Sequence, residues 1–389
     1  MTKSGMMNQI ENKRTHYDLA DILRKNKQAF FKGYKLLGQQ EKAYGDICAC
    51  RTAELKGHMT YCSCCDYQRQ AYNSCRNKHC PKCQFAKQAK WVNKLQTKLI
   101  DCKHFHLVLT IPHQLNQLVY LNQRSLYNLL FKAAWQAVSK AASNPKFLGA
   151  QTGAVAVLHT WTQTLNQHPH IHMIIPSGGL SEDQMEWIPC RNNFFAPKKV
   201  ISFLFRGIVC HYINQAIENN QLNIPEQFDW YQIKKRLYKT MWNVNIEKPM
   251  SGIGRIVEYL GKYTNRVAIS NTRITSVENG KVAFRYKDRK RLVSKIMQLD
   301  TLEFIRRFML HILPDNFYKI RYYGIMASAN SKTKKQQIIA LMETCCSIPE
   351  YEGLSAFEVY SLITGKDISR CPKCRKGRIL CKVLPKPET

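Results

Sequence analysis

Two histidines spaced two residues apart are the first candidates for chemistry in this sequence. His170 and His172 lie in the run HPHIH, at the start of an apolar segment. In a β-strand, residues i and i+2 face the same side, so both imidazoles point together while Ile171 faces the core. Such a pair can bind a divalent cation if a neighbouring strand supplies a third ligand. We expect that ligand to be His159, with His168 as the second choice.

A second candidate is the tyrosine pair in EYLGKYTNR. Tyr259 and Tyr263 are four residues apart on a predicted helix, which places both phenols on one face. Gly261 between them lowers helix propensity by about 1 kcal/mol relative to Ala. Its presence indicates a close approach of another backbone or of a nucleic acid, or a need to flex. By themselves, these residues are more typical of two core or edge tyrosines than of nucleophiles.

The sixteen cysteines are clustered, and eight of them lie between Cys48 and Cys83. Cys62-x-x-Cys65 and Cys80-x-x-Cys83 form two knuckles, a pattern typical of a four-thiolate zinc ribbon. We therefore predict that these four thiolates bind structural Zn²⁺.

Further cysteines and histidines fall outside this first set. A second zinc can be bound by Cys50, His58, Cys75 and His79; alternatively these are polar turn residues. Near the C-terminus, Cys371-x-x-Cys374 repeats the knuckle, with Cys381 nearby. That knuckle is half of a site.

The charge of the chain indicates a polyanionic partner. Lys and Arg number 59 against 27 acidic residues, a formal net charge of +32, and nucleic acid is the commonest partner of such proteins. Cations beside the cysteines suit phosphate contact, so the cysteine-rich block can be a DNA-binding module. A solvated basic face is the alternative for any single residue. The candidate DNA contacts are Arg76, Lys78, Lys262, Arg266, Arg285, Lys287, Arg289 and Arg321.

A membrane surface is the competing partner for a basic protein. However, no segment offers 18 uninterrupted apolar residues, and residues 1–14 are polar, without the apolar stretch of a signal peptide. Hydrophobic residues make up 44% of the chain, enough for folded cores. We expect a cytoplasmic, nucleoid-associated protein without membrane contact.

The element pattern predicts an α+β fold with antiparallel strand pairs. Strands are predicted at 104–111, 154–161 and 170–175, and helices at 85–100, 115–142, 198–218 and 227–239. Asn279-Gly280 marks a hairpin. We expect an N-terminal zinc-binding, DNA-binding domain at 1–100, a catalytic domain at 101–345, and a tail at 346–389 that carries the Cys371 knuckle.

Several long segments together resemble the rolling-circle insertion-sequence transposases of the two-tyrosine HUH (His-hydrophobic-His) class. The segments that carry the likeness are NSCRNKHCPKCQ, LHTWTQTLNQHPHIHMIIPSGGL, YLGKYTNRVAISNTRI, VAFRYKDR and IRYYGIMA. They span residues from about 15 to 345. The resemblance implies an antiparallel-sheet HUH nuclease core with flanking helices, preceded by a small zinc-ribbon-like domain.

The resemblance also implies a reaction. A phenol of Tyr259 or Tyr263 would attack a DNA phosphodiester, giving a 5′-phosphotyrosine and a free 3′-OH. The cation at His170 and His172, expected to be Mg²⁺ or Mn²⁺, would orient the scissile phosphate. The implied partners are single-stranded DNA ends of the mobile element and target DNA. We find no GxxxxGK[ST] loop, so any helicase would come from the host.

Two other functions fit parts of the pattern. A plasmid replication initiator or conjugative relaxase would use the same nuclease chemistry, and a non-catalytic zinc-dependent DNA-binding regulator would bind DNA without cutting. The cysteine block ahead of the histidine strand, together with YLGKYTNRVAIS, favours the transposase. The presence of both histidines and both tyrosines argues against the regulator.

Overall fold

The computed structural model describes residues 17–83, 93, 95–96, 98–256, 268–288, 293–344 and 353–383. The helices within these ranges are α1 (Leu19–Lys25), α2 (Lys27–Gly33), α3 (Gly38–Ala49), α4 (Asn116–Leu121), α5 (Gln123–Ser143), α6 (Lys198–Glu218), α7 (Trp230–Lys239), α8 (Thr301–Met309), α9 (Lys334–Leu341) and α10 (Ala356–Thr364). Residues 253–256 are also helical.

The strands alternate with these helices and pair antiparallel throughout the described ranges. They are β1 (Gly57–Cys62), β2 (Gln68–Tyr72), β3 (His104–Thr110), β4 (Gly153–Trp161), β5 (Gln167–Pro176), β6 (Gly178–Leu180), β7 (Trp187–Pro189), β8 (Val244–Ile246), β9 (Ile274–Glu278), β10 (Lys281–Lys287), β11 (Ser294–Asp300), β12 (Ile320–Gly324) and β13 (Ile379–Val383). The central sheet has five strands in the order β12–β4–β5–β3–β8.

One face of the central sheet packs against the two long helices α5 and α6. Leu107, Leu158 and Ile171 point into this core, where they meet Leu130 of α5 and Phe205 of α6. The helix α6 is long and apolar enough to cross a membrane by length and composition alone. Because one side of it is buried in this core, it also has the character of an ordinary core helix.

The opposite face of the sheet packs into a smaller core. Val157 and Ile174 are fully buried there, and so is Ile256 of the helical residues 253–256. Because alternate strand residues share a face, this is also the face of His170 and His172. The helix that begins at residue 253 therefore starts on the histidine side of the sheet.

The N-terminal helices do not form a core of their own. Leu23 and Tyr44 pack with Phe284 of β10 and Phe304 of α8, and Leu165 in the β4–β5 turn joins the same cluster. The three-stranded sheet β11–β10–β9 lies against this cluster. Packing therefore crosses the predicted boundary at residue 100, and the division into three domains stays a prediction.

The C-terminal strand returns to the N-terminal hairpin. β13 pairs with β1 in the sheet β13–β1–β2, with His58 opposite Val383 and Cys62 opposite Ile379. The central strand β1 therefore pairs with β2 on one side and with the C-terminal strand β13 on the other.

These observations confirm the predicted α+β class with antiparallel sheets. The predicted helix at 115–142 is interrupted at Asn122, whose side-chain amide donates to the carbonyls of Leu118 and Asn223. That competition with the helix backbone splits the segment into α4 and α5. Most of the helix predicted at 85–100 lies outside the described residues.

Gly324 allows a close approach between β12 and the neighbouring chain. Its φ is +56°, and a Cβ there would collide with the Thr152 carbonyl and lie 2.6 Å from the Trp135 ring. We predict that Gly324→Ala destabilises the fold through left-handed strain of about 1–2 kcal/mol plus overpacking of about 1–3 kcal/mol. Urea denaturation measures this change.

Gly280→Ala is the matched control. Gly280 also has a positive φ, +70°, but a Cβ there meets nothing within 4 Å. The free energy of unfolding of Gly280→Ala should therefore fall only by the backbone strain. Equal losses of stability in the two variants would contradict the packing argument for Gly324.

Candidate functional site

Three histidine side chains converge on one face of the central sheet. His159 lies directly opposite His170 in the β4–β5 pair, and His172 lies two residues further along β5. One ring nitrogen from each residue falls within 4.8 Å of the others, a grouping that can hold a metal ion. The ring centroids are 4.5–5.4 Å apart. The arrangement is the one expected from alternation along two paired strands, and its role as a metal site stays a prediction.

The histidine cluster is buried, with 3–8% of each residue exposed. His170 Nδ1 lies 2.5 Å from the carbonyl oxygen of His168. A carbonyl only accepts, so Nδ1 carries the proton and Nε2 keeps its lone pair for a ligand. His168, the second choice for a third ligand, is not part of the group and contributes its backbone instead.

A fourth histidine extends the cluster through hydrogen bonds. His106 Nε2 is 2.8 Å from His172 Nδ1, and His106 Nδ1 is 3.0 Å from a carboxylate oxygen of Glu247. The backbone N–H of Glu247 also donates to the His106 carbonyl, at 2.9 Å. A carboxylate accepts the proton of His106 Nδ1, so a neutral His106 accepts from His172 Nδ1–H. His172 is then left with Nε2 as its ligand atom.

Sequence reasoning missed both His106 and Glu247. The signal for His106 was present, because His104 and His106 repeat the two-residue spacing in the strand HFHLVLTI. The signal for Glu247 was absent, since its place beside His106 depends on the pairing of β8 with β3.

Tyr259 and Tyr263 lie outside the described residues, as do the candidate DNA contacts Lys262, Arg266 and Arg289. Their roles stay predictions.

Four cysteines form a cluster at the base of the β1–β2 hairpin: Cys50, Cys75, Cys80 and Cys83. Three sulfur–sulfur distances among them are 3.4–3.7 Å. Zinc–thiolate bonds of about 2.3 Å in a tetrahedron put sulfur atoms about 3.8 Å apart. A disulfide would need about 2.05 Å. The cluster therefore fits a structural Zn²⁺.

This grouping corrects the prediction that Cys62, Cys65, Cys80 and Cys83 share one ion. Cys62 and Cys65 lie at the tip of the hairpin, whereas Cys80 and Cys83 follow its base. A six-residue strand at about 3.3 Å per residue separates tip from base by about 16 Å, too far for one shell. The two knuckles therefore belong to different clusters, and Cys62 and Cys65 group with Cys371 and Cys374.

His58 and His79, which the sequence analysis assigned to a second zinc with Cys50 and Cys75, belong to neither cysteine cluster. His58 sits within β1, paired with Ala71 and Val383. His79 Nε2 accepts from the backbone N–H of Leu313, at 3.2 Å. Burial lowers the pKa of His79 well below its usual range, which keeps the imidazole neutral and able to accept. Only Cys50 and Cys75 of that predicted set join a cluster.

The basic residues near the cysteines differ in exposure. Arg76 is exposed and remains a candidate phosphate contact. The Lys78 ammonium instead donates to the carbonyls of Pro314 and Phe317, at 3.0 and 3.4 Å, and burial lowers its pKa. Lys78 thus links the cysteine-rich block to the segment after α8.

The remaining described candidate DNA contacts are Arg285, Lys287 and Arg321, and they differ in their surroundings. Arg285 and Lys287 are exposed on β10. Arg321 stands over the rings of Phe131 and Phe317, at 4.3 and 5.4 Å. It pairs with Ala156, so it lies on the helix-covered face, away from the histidines. Its contacts are those of a packing residue, which weakens its candidacy as a DNA contact.

Comparison with known proteins places these features in a family. Residues 22–111 match the family described as transposase zinc-binding domain, and residues 153–335 match the family described as putative transposase. The chain is 36% identical over 378 residues to the putative transposase y4qJ of Sinorhizobium fredii (strain NBRC 101917 / NGR234), which covers 94% of this chain and 95% of that protein.

A second relative is more distant. The transposase for insertion sequence element IS801 of Pseudomonas savastanoi pv. phaseolicola is 29% identical over 273 residues, 68% of this chain and 64% of that protein. No solved structure matches the chain.

The assignment of the base cluster can be tested by zinc content. Cys50→Ser removes one of four thiolates, so we predict that zinc falls by about one ion per chain, because structural zinc sites are four-coordinate. Elemental analysis of the purified protein measures it. His58→Gln is the control and should keep its zinc; a loss there would restore His58 as a ligand.

Proposed function

The chain belongs to the family of insertion-sequence transposases that includes these relatives, and from that premise we propose that it cuts and rejoins single-stranded DNA through a 5′-phosphotyrosine. The observation that carries the proposal is the cluster of three imidazoles on β4 and β5. One ring nitrogen of each histidine lies within 4.8 Å of the others, a spacing that suits one divalent cation.

The histidine cluster would hold Mg²⁺ or Mn²⁺, which when bound neutralises charge that develops on the scissile phosphate. The protein's contribution is orientation. The His168 carbonyl fixes the ring of His170, and the Glu247–His106 pair fixes the ring of His172. Outer hydrogen bonds of this kind set the tautomer and raise the basicity of ligand imidazoles.

In the proposed reaction, a tyrosine oxygen attacks the phosphorus of the scissile phosphodiester. The bond from phosphorus to the tyrosine oxygen forms, the bond to the 3′-oxygen breaks, and the 3′-oxygen leaves as a hydroxyl. A phenol with an ordinary pKa of about 10 is a weak nucleophile at neutral pH, so it must lose its proton to solvent as it attacks. The departing 3′-oxygen takes up one proton from solvent, which balances the step. The phosphotyrosine conserves the bond energy, and rejoining needs no ATP.

Tyr259 and Tyr263 are the proposed nucleophiles. Support for Tyr259 comes from Ile256, which is buried on the histidine face of the sheet beside Val157. Val157 lies directly opposite His172. The described chain therefore reaches the histidine face at Ile256, three residues before Tyr259 in the sequence. With two tyrosines, one can hold a strand end while the other cuts a second site.

The proposed substrates are single-stranded ends of the mobile element and target DNA, with a host helicase supplying strand separation. Among the described candidate DNA contacts, Arg76, Arg285 and Lys287 are the exposed ones and can reach phosphates. Such contacts make DNA binding strongly dependent on salt concentration.

The phosphotyrosine predicts a covalent adduct. With Mn²⁺ or Mg²⁺ and single-stranded DNA carrying the element's end, the wild-type protein should form a DNA–protein band that resists denaturing electrophoresis. Tyr259→Phe combined with Tyr263→Phe should abolish that band and leave DNA affinity unchanged, because the phenyl rings remain. Tyr318→Phe is the control, since Tyr318 is 79% exposed and lies elsewhere in the sequence.

Two outcomes would count against this proposal. An adduct of unchanged yield in the double variant would remove the tyrosines from the reaction. Tight binding without any wild-type adduct would indicate a DNA-binding regulator instead.

The Glu247–His106 pair should act through metal affinity. We predict that His106→Ala raises the half-saturating Mn²⁺ concentration for cleavage by about 10–100-fold, the usual effect of losing such a partner. Glu247→Gln should have a smaller effect than Glu247→Ala, because an amide oxygen can still accept from His106 Nδ1. Titrations of cleavage against Mn²⁺ measure these shifts.

His104→Gln provides the control on the same strand. His104 is buried, its Nδ1 bonds the Cys102 carbonyl, and burial lowers its pKa to about 4. Because it is not a member of the three-histidine cluster, its replacement should leave the Mn²⁺ requirement unchanged. A shift as large as that of His106→Ala would indicate a general loss of structure.

A further inference from the structure

The tip of the β1–β2 hairpin carries two cysteines, Cys62 and Cys65, whereas a structural zinc site needs four ligands. Cys62 ends β1 and Cys65 follows in the turn, but the four cysteines at the base of the hairpin form their own group. The region that matches the transposase zinc-binding domain ends at residue 111. In the described chain, the two cysteines that group with Cys62 and Cys65 come from beyond that domain.

The tail supplies them. The Sγ atoms of Cys62, Cys65, Cys371 and Cys374 all lie within 4.8 Å of one another. Cys62 Sγ is 3.6 Å from Cys374 Sγ, and Cys65 Sγ is 3.7 Å from Cys371 Sγ. These separations match the edge of about 3.8 Å for a zinc–thiolate tetrahedron and are far longer than a disulfide.

Backbone groups at both knuckles are directed at the sulfur atoms. The N–H of Cys64 donates to Cys62 Sγ at 3.2 Å, and the N–H of Gly377 donates to Cys374 Sγ at 3.3 Å. Hydrogen bonds from the backbone stabilise a thiolate over a thiol. Thiolates are the form that binds metal.

Gly377 permits the two knuckles to meet. A Cβ at this position would overlap Cys62 Sγ and lie 2.6 Å from the Cys64 Cβ. Around this contact, the Ser63 N–H donates to the Arg378 carbonyl and the Arg378 N–H donates to Ser63 Oγ, at 3.0 and 2.9 Å. The tail is thus seated on the hairpin tip by backbone as well as by sulfur.

Charge and strand pairing add to the same contact. Lys373, between the two tail cysteines, forms an ion pair with Asp66 at 2.5 Å. Beyond the knuckle, β13 pairs with β1 over five residues. Exposed ion pairs contribute little by themselves, so a metal is the component that can hold this short segment firmly.

We propose that Cys62, Cys65, Cys371 and Cys374 bind a second structural zinc ion, which clamps the C-terminal tail onto the N-terminal hairpin. The ion completes the sheet β13–β1–β2 by joining two ends of the chain. It also fixes the exposed cations Arg375, Lys376, Arg378 and Lys382 beside the zinc-binding domain.

Zinc stoichiometry in the full chain tests the proposal. Wild-type protein should contain about two zinc ions, and Cys371→Ser combined with Cys374→Ser about one, because each four-coordinate site needs all of its thiolates. Cys381→Ser is the matched control. Cys381 is exposed on β13 and outside the cluster, so this variant should keep both ions.

A second variant leaves every thiol in place. Gly377→Ala should also lower zinc to about one ion, because its Cβ takes the space of the Cys62 sulfur. In both zinc-depleted proteins, trypsin should cleave after Arg375, Lys376 or Arg378 at least about tenfold faster than in wild type, since local opening exposes such sites. Mass spectrometry of early fragments measures the cleavage.

Three results would overturn the clamp. These are a full zinc complement in the double serine variant, a wild-type chain with one zinc, or a disulfide between Cys62 and Cys374 in protein purified under reducing conditions. Retention of the base-cluster zinc shows that a variant is folded. None of these results depends on DNA cleavage, so the test is separate from that of the proposed function.

Discussion

The register between β4 and β5 is the constraint on which the candidate site depends. It sets His159 opposite His170 and Val157 opposite His172. A shift of one residue would turn every side chain of one strand to the other face. The same register sends Ile171 into the core under α5 and α6. Burial of Ile171 on the helix-covered face therefore keeps the histidines on the opposite face. The register that packs the core is also the one that brings the histidines together.

The length of the β1–β2 hairpin imposes a second constraint, on the cysteines. A hairpin of this length separates the knuckles at its tip and base, so the two knuckles cannot share the one ion that the sequence had indicated. The base cluster packs in the core that contains Leu165, the residue at the turn between β4 and β5. The zinc site and the histidine-bearing hairpin are consequently parts of one hydrophobic unit.

The sequence predicted features that depend on residues close together along the chain. It did not predict contacts between residues far apart along the chain. The strands, the pair His170 and His172 and the choice of His159 followed from alternation and from one tight turn. The cysteine pairing did not, because Cys65 meets a partner 306 positions away. Arg321 was assigned by its charge, whereas its contacts depend on which face of β12 meets α5, and sequence spacing does not fix that.

The core shared by the N-terminal helices, β10 and α8 also affects how the transposase would bind DNA. Phe30, Leu165, Phe284 and Phe304 are fully buried where the N-terminal helices meet β10 and α8. Exposing such side chains costs roughly 1.5–3 kcal/mol each, so undocking the N-terminal module would cost several times the thermal energy. Under the proposed function, DNA held by Arg76 in that module would stay at a set distance from His170. Selection of the cleavage site would then rest on the geometry of one rigid unit, rather than on a search by a tethered domain.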